Sequence, residues 1–408
     1  MFLFLLFALL AGAAAAQTPP AGGEGDARLA ALIEEALERN PDVRASFARL
    51  RAALQRAPQV AALPDPMVTF TGFARSVETR AGPQNFALSI QQRFPWFGKL
   101  GALEQVAAKE AAAAAALYEA ERAETALRVE TAYRELAYVD RAARILREEA
   151  ELLSHYEALA RALYAQGVGP QAAAVKLQAE ITRTESRLEA LTRQRVDAEA
   201  ALNRVRYRPA AAPVAEVQLR PPPRFAVDPE RLYVLARERR PELLAAFLRI
   251  EADEKRVDAA RREGWPDVTL GAALVDVGRR GDPAGLLAPP PDNGKNAYSV
   301  TVGMNLPIFR RKYRAGVLEA SERFLASREM YAGMEREVEE AIRALTYGLE
   351  STGRQIDLFE TTLAPQAGQA LASAEAAYSA AEAGALDLLD SERTLFEVRL
   401  GLARLQTD

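Results

Sequence analysis

The chain has 408 residues, 49% of them hydrophobic, and sets 52 Lys plus Arg against 56 Asp plus Glu for a formal net charge of −4. That length admits one large or two ordinary domains, and the mild acidity argues against a nucleic-acid partner, which wants a basic face. With no Cys and one His, structural zinc, iron–sulfur centres, thiol catalysis and disulfide stapling fall away, and neither a cofactor nor a metal site is expected.

Residues 1–16, "MFLFLLFALLAGAAAA", read as a secretory signal with small residues suited to cleavage after Ala16, although the usual basic start is missing. The apolar run is too short to span a bilayer, and no other stretch approaches the roughly 20 apolar residues of a membrane helix. With no Cys after the signal, an acyl anchor of lipoprotein type is not expected. Residues 17–26 read as a flexible lead-in.

From there two halves follow one plan. The first, 27–207, predicts a helix over about 27–60, strands over about 66–76 and 85–94, and helices over about 98–166 and 171–206. "RPAAAPVAEVQLRPPPRFAVDP" (208–229) is a Pro-rich extended connector. The second half, 230–408, predicts a helix over about 230–262, strands over about 267–278 and 296–306, and helices over about 310–381 and 386–406. The halves repeat in sequence as well. Pro41 matches Pro241, Phe47 matches Phe247, Arg49 matches Arg249 and Arg56 matches Arg256, all at one offset. "FALSIQQRFPWF" (86–97) then meets "YSVTVGMNLPIF" (298–309), with Pro95 opposite Pro307 and Phe97 opposite Phe309. A Pro at the end of an extended run cannot donate to a ladder and is well placed to open a helix.

The strands alternate. Phe86, Leu88 and Ile90 oppose Ala87, Ser89 and Gln91; Tyr298, Val300, Val302 and Met304 oppose Ser299, Thr301, Gly303 and Asn305. Between the partners, "RSVETRAGPQ" and "GRRGDPAGLLAPPPDNGK" read as Gly/Pro-rich turns. Soluble hairpins with one face on a core are the ordinary meaning of such a pattern. Two features favour lipid: the strands reach the 9–11 residues of a tilted membrane strand, and Phe94, Trp96, Phe97, Trp265 and Phe309 gather at their ends, where an interfacial girdle belongs. Four strands cannot close a barrel, for which about eight is the minimum. An open edge in lipid leaves backbone groups unsatisfied, so strands in a membrane require several chains to share one barrel.

Residues 99–164 lack Pro and are dominated by Ala, Glu, Arg and Leu; as one helix they would run about 100 Å. Leu136, Val139, Ala143, Leu146, Ala150, Leu153 and Ala160 keep heptad-like spacing, and Ile181, Leu188, Leu191, Ala198 and Leu202 supply a partner seam. His155 in this stretch reads as a solvated surface side chain. The helix turns are "YAQGVGPQ" (164–171) and "SAAEAGALDLLDSE" (379–392). After the second, Asp387 and Asp390 stand in a first helical turn, where capping and the helix dipole favour carboxylates. If several copies converge on an axis, the same acids become rings of negative charge at a pore mouth.

The doubled strand-pair-plus-hairpin plan, the "FPWFGK" elbow, the "YAQGVGPQAAAVKLQAE" turn and the "ALNRVRYRP" exit together resemble the TolC-type outer-membrane efflux proteins. The elbow and turn are most similar to the branch serving heavy-metal-cation exporters. The resemblance implies a homotrimer whose strands form a twelve-stranded outer-membrane β-barrel continuing into a periplasmic α-barrel. It also implies partners: a periplasmic membrane-fusion adaptor and an inner-membrane pump of resistance-nodulation-division type. The adaptor-facing tips would be Gly167, Val168, Gly169 and Pro170, and Ala383, Gly384, Ala385 and Leu386; Asp387 and Asp390 would be the periplasmic constriction. The chain departs from the family in a second turn some three residues short and in Ala381, where Tyr is common. A duct of this kind conducts passively and needs no catalytic residue. The rival readings are a periplasmic coiled-coil adaptor, a soluble exported scaffold and, more distantly, an exported hydrolase, for which His155 has no evident partner.

Overall fold

The computed structural model describes residues 24–218 and 227–408. The expected signal, most of 17–26 and the middle of the connector lie outside these residues. Helices α1 (Glu24–Arg39), α2 (Pro41–Leu54) and α3 (Arg56–Ala61) precede strands β1 (Met67–Thr79) and β2 (Gly82–Phe94). Helices α4 (Lys99–Ala165) and α5 (Gln171–Val205) complete the first half. The second half has α6 (Pro229–Arg239), α7 (Pro241–Arg262), β3 (Val268–Val277), the short α8 (Pro283–Leu287) and β4 (Ala297–Met304). It ends with α9 (Arg310–Leu358), a π-helical segment (Phe359–Leu363), α10 (Ala364–Ser379) and α11 (Ala385–Thr407).

The four strands form one antiparallel sheet in the order β1-β2-β3-β4, so each half contributes a hairpin and β2 pairs with β3 across the repeat. They belong to a compact unit of residues 45–120 and 230–341, which also holds α7 and parts of α4 and α9. The other unit comprises residues up to 44, 121–229 and 342–408. Each unit therefore takes chain from both sequence repeats. The repeat is a unit of sequence, not of packing.

Two cores organise the second of these units. One joins Leu153, Tyr156 and Ala160 of α4 to Leu177 of α5, Leu371 and Tyr378 of α10, and Leu388 and Leu395 of α11. The other packs Ala36 of α1 against Val129, Tyr133 and Leu136 of α4 and Leu202 of α5. The heptad seam is buried at Leu136, Val139, Leu146, Leu153 and Ala160, while Ala143 and Ala150 are half-buried.

The structure alters four expectations, each for a local reason. The helix over about 27–60 is three helices. Asn40 ends the first and caps the second: its Oδ1 accepts the Asp42 and Val43 N–H groups (2.8 and 3.4 Å), while its Nδ2 donates to the Val205 carbonyl (2.8 Å). The helix over about 230–262 breaks at the matching place, Arg240–Pro241, with Pro241 at the first helical position. The helix over about 310–381 ends at Ser379 and contains a π segment that stops two residues before Pro365, whose missing N–H and ring disturb the α ladder one turn back. Finally, most of the first expected strand turn is strand: β1 runs on to Thr79 and β2 starts at Gly82, leaving Arg80 and Ala81 to turn. Gly82 permits this, because it holds φ +132° and any Cβ there would collide with the Gly278 carbonyl oxygen.

Candidate functional site

The sheet has two chemically opposed faces. Register places Val68, Ile90, Ala272 and Val300 in one cross-strand row and Phe70, Leu88, Leu274 and Tyr298 in the next. Leu270 and Val302 continue this face. These side chains cover no core: Val300 is 83% exposed, Tyr298 79% and Phe70 68%. The opposite face is more polar, with Thr69, Ser89, Ala273 and Ser299 in one row and Met67, Gln91, Gly271 and Thr301 in another. A sheet that sets continuous Val, Ile, Leu and Tyr rows outward has its apolar solvent outside the chain. Both β1 and β4 are edges, with a row of backbone donors and acceptors unpaired.

At one end of the sheet, a network centred on Lys99 and Asp267 locks the elbow. Lys99, the first residue of α4, is buried, and its Nζ donates to the Asp267 carboxylate and to the Trp265 carbonyl, both at 2.8 Å. Asp267 also accepts the Trp96 N–H (3.1 Å), and its own N–H and carbonyl are held by Asn305. Trp96 and Trp265 stack with centroids 5.8 Å apart at 10°, and Phe97 meets Trp96 edge-on at 5.8 Å. Gly98, at φ +80°, leaves room for the Arg262 guanidinium, which any Cβ placed there would strike. The repeated elbow thus ties the ends of β2, β3 and β4 together through one buried ion pair. Of the aromatics singled out by sequence, Trp96, Trp265 and Phe97 are brought together; Phe94 closes the β2–β3 ladder opposite Val268, and Phe309 is exposed beyond β4. Sequence reading missed Lys99 and Asp267. The only signal was a charged residue beside each Pro-aromatic cluster.

At the hairpin turns the two halves use one geometry. In the first, Gly167 takes φ +76° and the Val168 and Gly169 N–H groups both point to the Leu163 carbonyl (3.0 and 3.3 Å). In the second, Ala381 takes φ +58° and the Glu382 and Ala383 N–H groups both point to the Ala377 carbonyl (2.8 and 3.2 Å). Pro170 and Gly384 then hold the N-cap places of α5 and α11. Val168 and Leu386 are exposed, but Ala385 is buried in the hairpin core, so Ala381 and Glu382 belong to the exposed turn in its place. Asp387 accepts the Gly384 N–H (3.2 Å) and caps α11; Asp390 is exposed one turn on. His155 is exposed beside Tyr156. Among the described residues no group of three or more His, Asp or Glu is arranged to hold a metal ion, and no helix is long and apolar enough to cross a membrane.

A family model described as outer membrane efflux protein matches residues 32–205 and again 232–408. The chain belongs to that family. This efflux-family chain is accordingly an outer-membrane protein with a large periplasmic portion, of a family of channels rather than enzymes. Its fold is shared with solved outer-membrane channels. The outer-membrane channel OprN superposes with a TM-score of 0.77 at 20% identity, over 94% of this chain and 87% of that one. VceC of Vibrio cholerae gives 0.76 at 23%, over 93% of both chains. The open-state MtrE channel of Neisseria gonorrhoeae gives 0.72 at 20%, over 93% and 86%. No curated protein matches the efflux-family chain in sequence.

Proposed function

We propose that this chain is the exit duct of a tripartite efflux system, working as a homotrimer in which three copies pool their strands into one barrel. The observation that carries the reading is the sheet: four strands, two unpaired edges and an uncovered apolar face. Each free edge in hydrocarbon costs several kcal/mol per unsatisfied group, so the edges must be paired by other copies. Three times four strands exceeds the closure minimum of about eight, with room for a water-filled lumen lined by Ser89, Gln91, Thr301 and Asn305. The Trp96–Trp265 stack, with Phe94, Phe97 and Phe309, then stands at the level where amphipathic rings favour the bilayer interface.

By this reading cargo enters at the turns around Gly167–Pro170 and Ala381–Leu386, where a periplasmic adaptor docks, and moves passively to the outside. An inner-membrane pump, of resistance-nodulation-division type by family resemblance, supplies the energy and most of the selectivity. A metal-cation cargo rests on the likeness of the elbow and first turn to exporters of that branch; a duct needs no ligands of its own for it. Asp387 and Asp390 would narrow the periplasmic mouth electrostatically.

Single-channel recording of the purified protein in lipid bilayers tests both parts. The duct reading expects stable conductance from protein that fractionates with the outer membrane and requires detergent. A buffer-soluble periplasmic monomer without conductance rejects it. Asp387→Asn is expected to lower cation preference; unchanged selectivity and conductance would remove the acidic ring while leaving the duct.

A further inference from the structure

Three glutamates occupy core positions where the two helical hairpins meet, one each on α4, α5 and α11. Glu149, Glu180 and Glu392 are 2%, 4% and 1% exposed. They share their faces with Leu146 and Leu153, with Leu177, and with Leu388, Leu389 and Leu395. Burial of this depth is foreign to ionised carboxylates unless each is paired and hydrogen-bonded. The pairing is incomplete. Glu180 accepts from Arg183 (2.8 Å) and Arg393 (3.3 Å). Glu149 accepts at one oxygen only, from Thr184 (3.2 Å) and Arg187 (3.4 Å), and its Oε2 is buried with no partner. Glu392 Oε1 is buried and unpartnered as well. Nothing in the exit-duct reading uses this cluster.

We propose that Glu149, Glu180 and Glu392 form a proton-operated clasp between the α4/α5 hairpin and the α10/α11 hairpin, closed while Glu392 carries a proton and loosened when it is lost. Every charged or titratable neighbour on the surrounding helices bears on that balance. On α4 there are Glu149 and Tyr156; on α5, Glu180, Arg183 and Arg187; on α10, Glu375, which accepts from Tyr156 (3.4 Å); on α11, Arg393. Burial first, and then the Glu149 and Glu180 charges, push Glu392 up to about 8 against the pull of Arg393 and Arg187. Burial likewise pushes Glu149 up. A protonated Glu392 can donate where a carboxylate can only repel. These burials are those of a single copy, and packing against further copies would only deepen them.

The direction follows from linkage. The closed cluster holds a proton that a solvated glutamate would release near its ordinary value of 4.5. Closure is therefore fully favoured at acid pH. It weakens through the window between about 4.5 and about 8, by up to about tenfold in the closed–open equilibrium per pH unit. Above that window both forms are ionised and the clasp contributes nothing further. The consequence for gating rests on the duct reading, since the hairpins end in the turns through which cargo would enter. The clasp itself does not.

The absence of Cys makes the test specific, because labels attach only where cysteine is introduced. Spin labels at Val168→Cys and Glu382→Cys, both exposed, report the separation of the two hairpin turns within one chain when labelled protein is diluted with unlabelled. Between pH 5 and pH 8.5 the separation is expected to lengthen and broaden. Glu392→Gln, isosteric and uncharged, is expected to hold the short separation throughout, and Glu149→Gln to reduce the response. A separation that ignores pH in the unsubstituted background, or an equal response in both Gln variants, overturns the clasp. Should Glu392→Gln not fold, the Glu149→Gln comparison decides alone. Conductance measured in parallel keeps the questions apart: conducting channels with pH-insensitive hairpins lose the clasp and keep the duct, and a pH-sensitive hairpin pair in a non-conducting protein does the reverse.

Discussion

Lys99 and Asp267 show how much one pair can carry. They lie 2.8 Å apart, Lys99 is 6% exposed, and the carboxylate also holds the Trp96 backbone. Removing one partner leaves a buried charge, which typically costs about 3–5 kcal/mol, whereas replacing both by apolar residues of similar volume is often near neutral. Asp267→Ala is thus expected to destabilise by about 3–5 kcal/mol and Asp267→Leu with Lys99→Met together by clearly less, measured by urea unfolding of the detergent-solubilised protein. Additive losses in that cycle would show the two residues acting independently. Such a contact was not legible beforehand, because partners so far apart in sequence leave no periodic trace. The same blindness hid Glu149, Glu180 and Glu392: an acid in a heptad stretch reads as surface, and only the meeting of three helices turns it inward. Asp387 was legible in its modest role, an N3 carboxylate after a Gly turn, and its capping bond is present.

Among the elements, the strands were the most readable, because period-two alternation survives whatever solvent the apolar face meets. The interruptions were written in the chain but under-read. Pro41 and Pro241 mark helix starts rather than helix interiors, and Pro365 lies two residues behind the π segment. Gly401 adds a packing reason for that irregular turn, since a Cβ there would stand 2.9 Å from the Phe359 ring. The sheet faces make a sharp prediction. Val300 and Thr301 are neighbours on β4, but one belongs to the apolar rows and the other to the polar ones. An Arg on a lipid face near the bilayer midplane costs about 2–4 kcal/mol, while one facing a water-filled lumen costs little. Val300→Arg is expected to cut the amount of folded protein in outer-membrane fractions severalfold, and Thr301→Arg to leave it near normal with altered conductance. Equal tolerance of both would mean that neither face meets lipid.

The repeat, plain in the sequence, misleads about how the molecule is put together. Local patterning reports which segments resemble each other, not which ones touch. In the structure β2 pairs with β3 along the ladder from Gln84↔Val277 to Phe94↔Val268, so the sheet is seamed across the two halves. The Lys99–Asp267 pair crosses the same seam, and in the other compact unit Arg393 to Glu180, Arg399 to Glu148 and Arg404 to Glu135 likewise join the first half to the second. Both compact units draw on residues before and after the connector. Neither half alone therefore has a complete core: the first lacks α11 and Asp267, the second lacks α4 and Lys99. A chain divided within the Pro-rich connector is expected to yield unstable halves when each is produced separately with its own export signal, since each exposes the apolar surface the other covers. Produced together, the halves are expected to assemble and reach the outer membrane, because the connector lies between the matched repeats and not within them. Protease resistance and recovery in outer-membrane fractions on co-production, with neither for single halves, is the outcome this packing demands. A first half that folds and inserts alone would mean that the seam is dispensable and that each repeat is a domain after all.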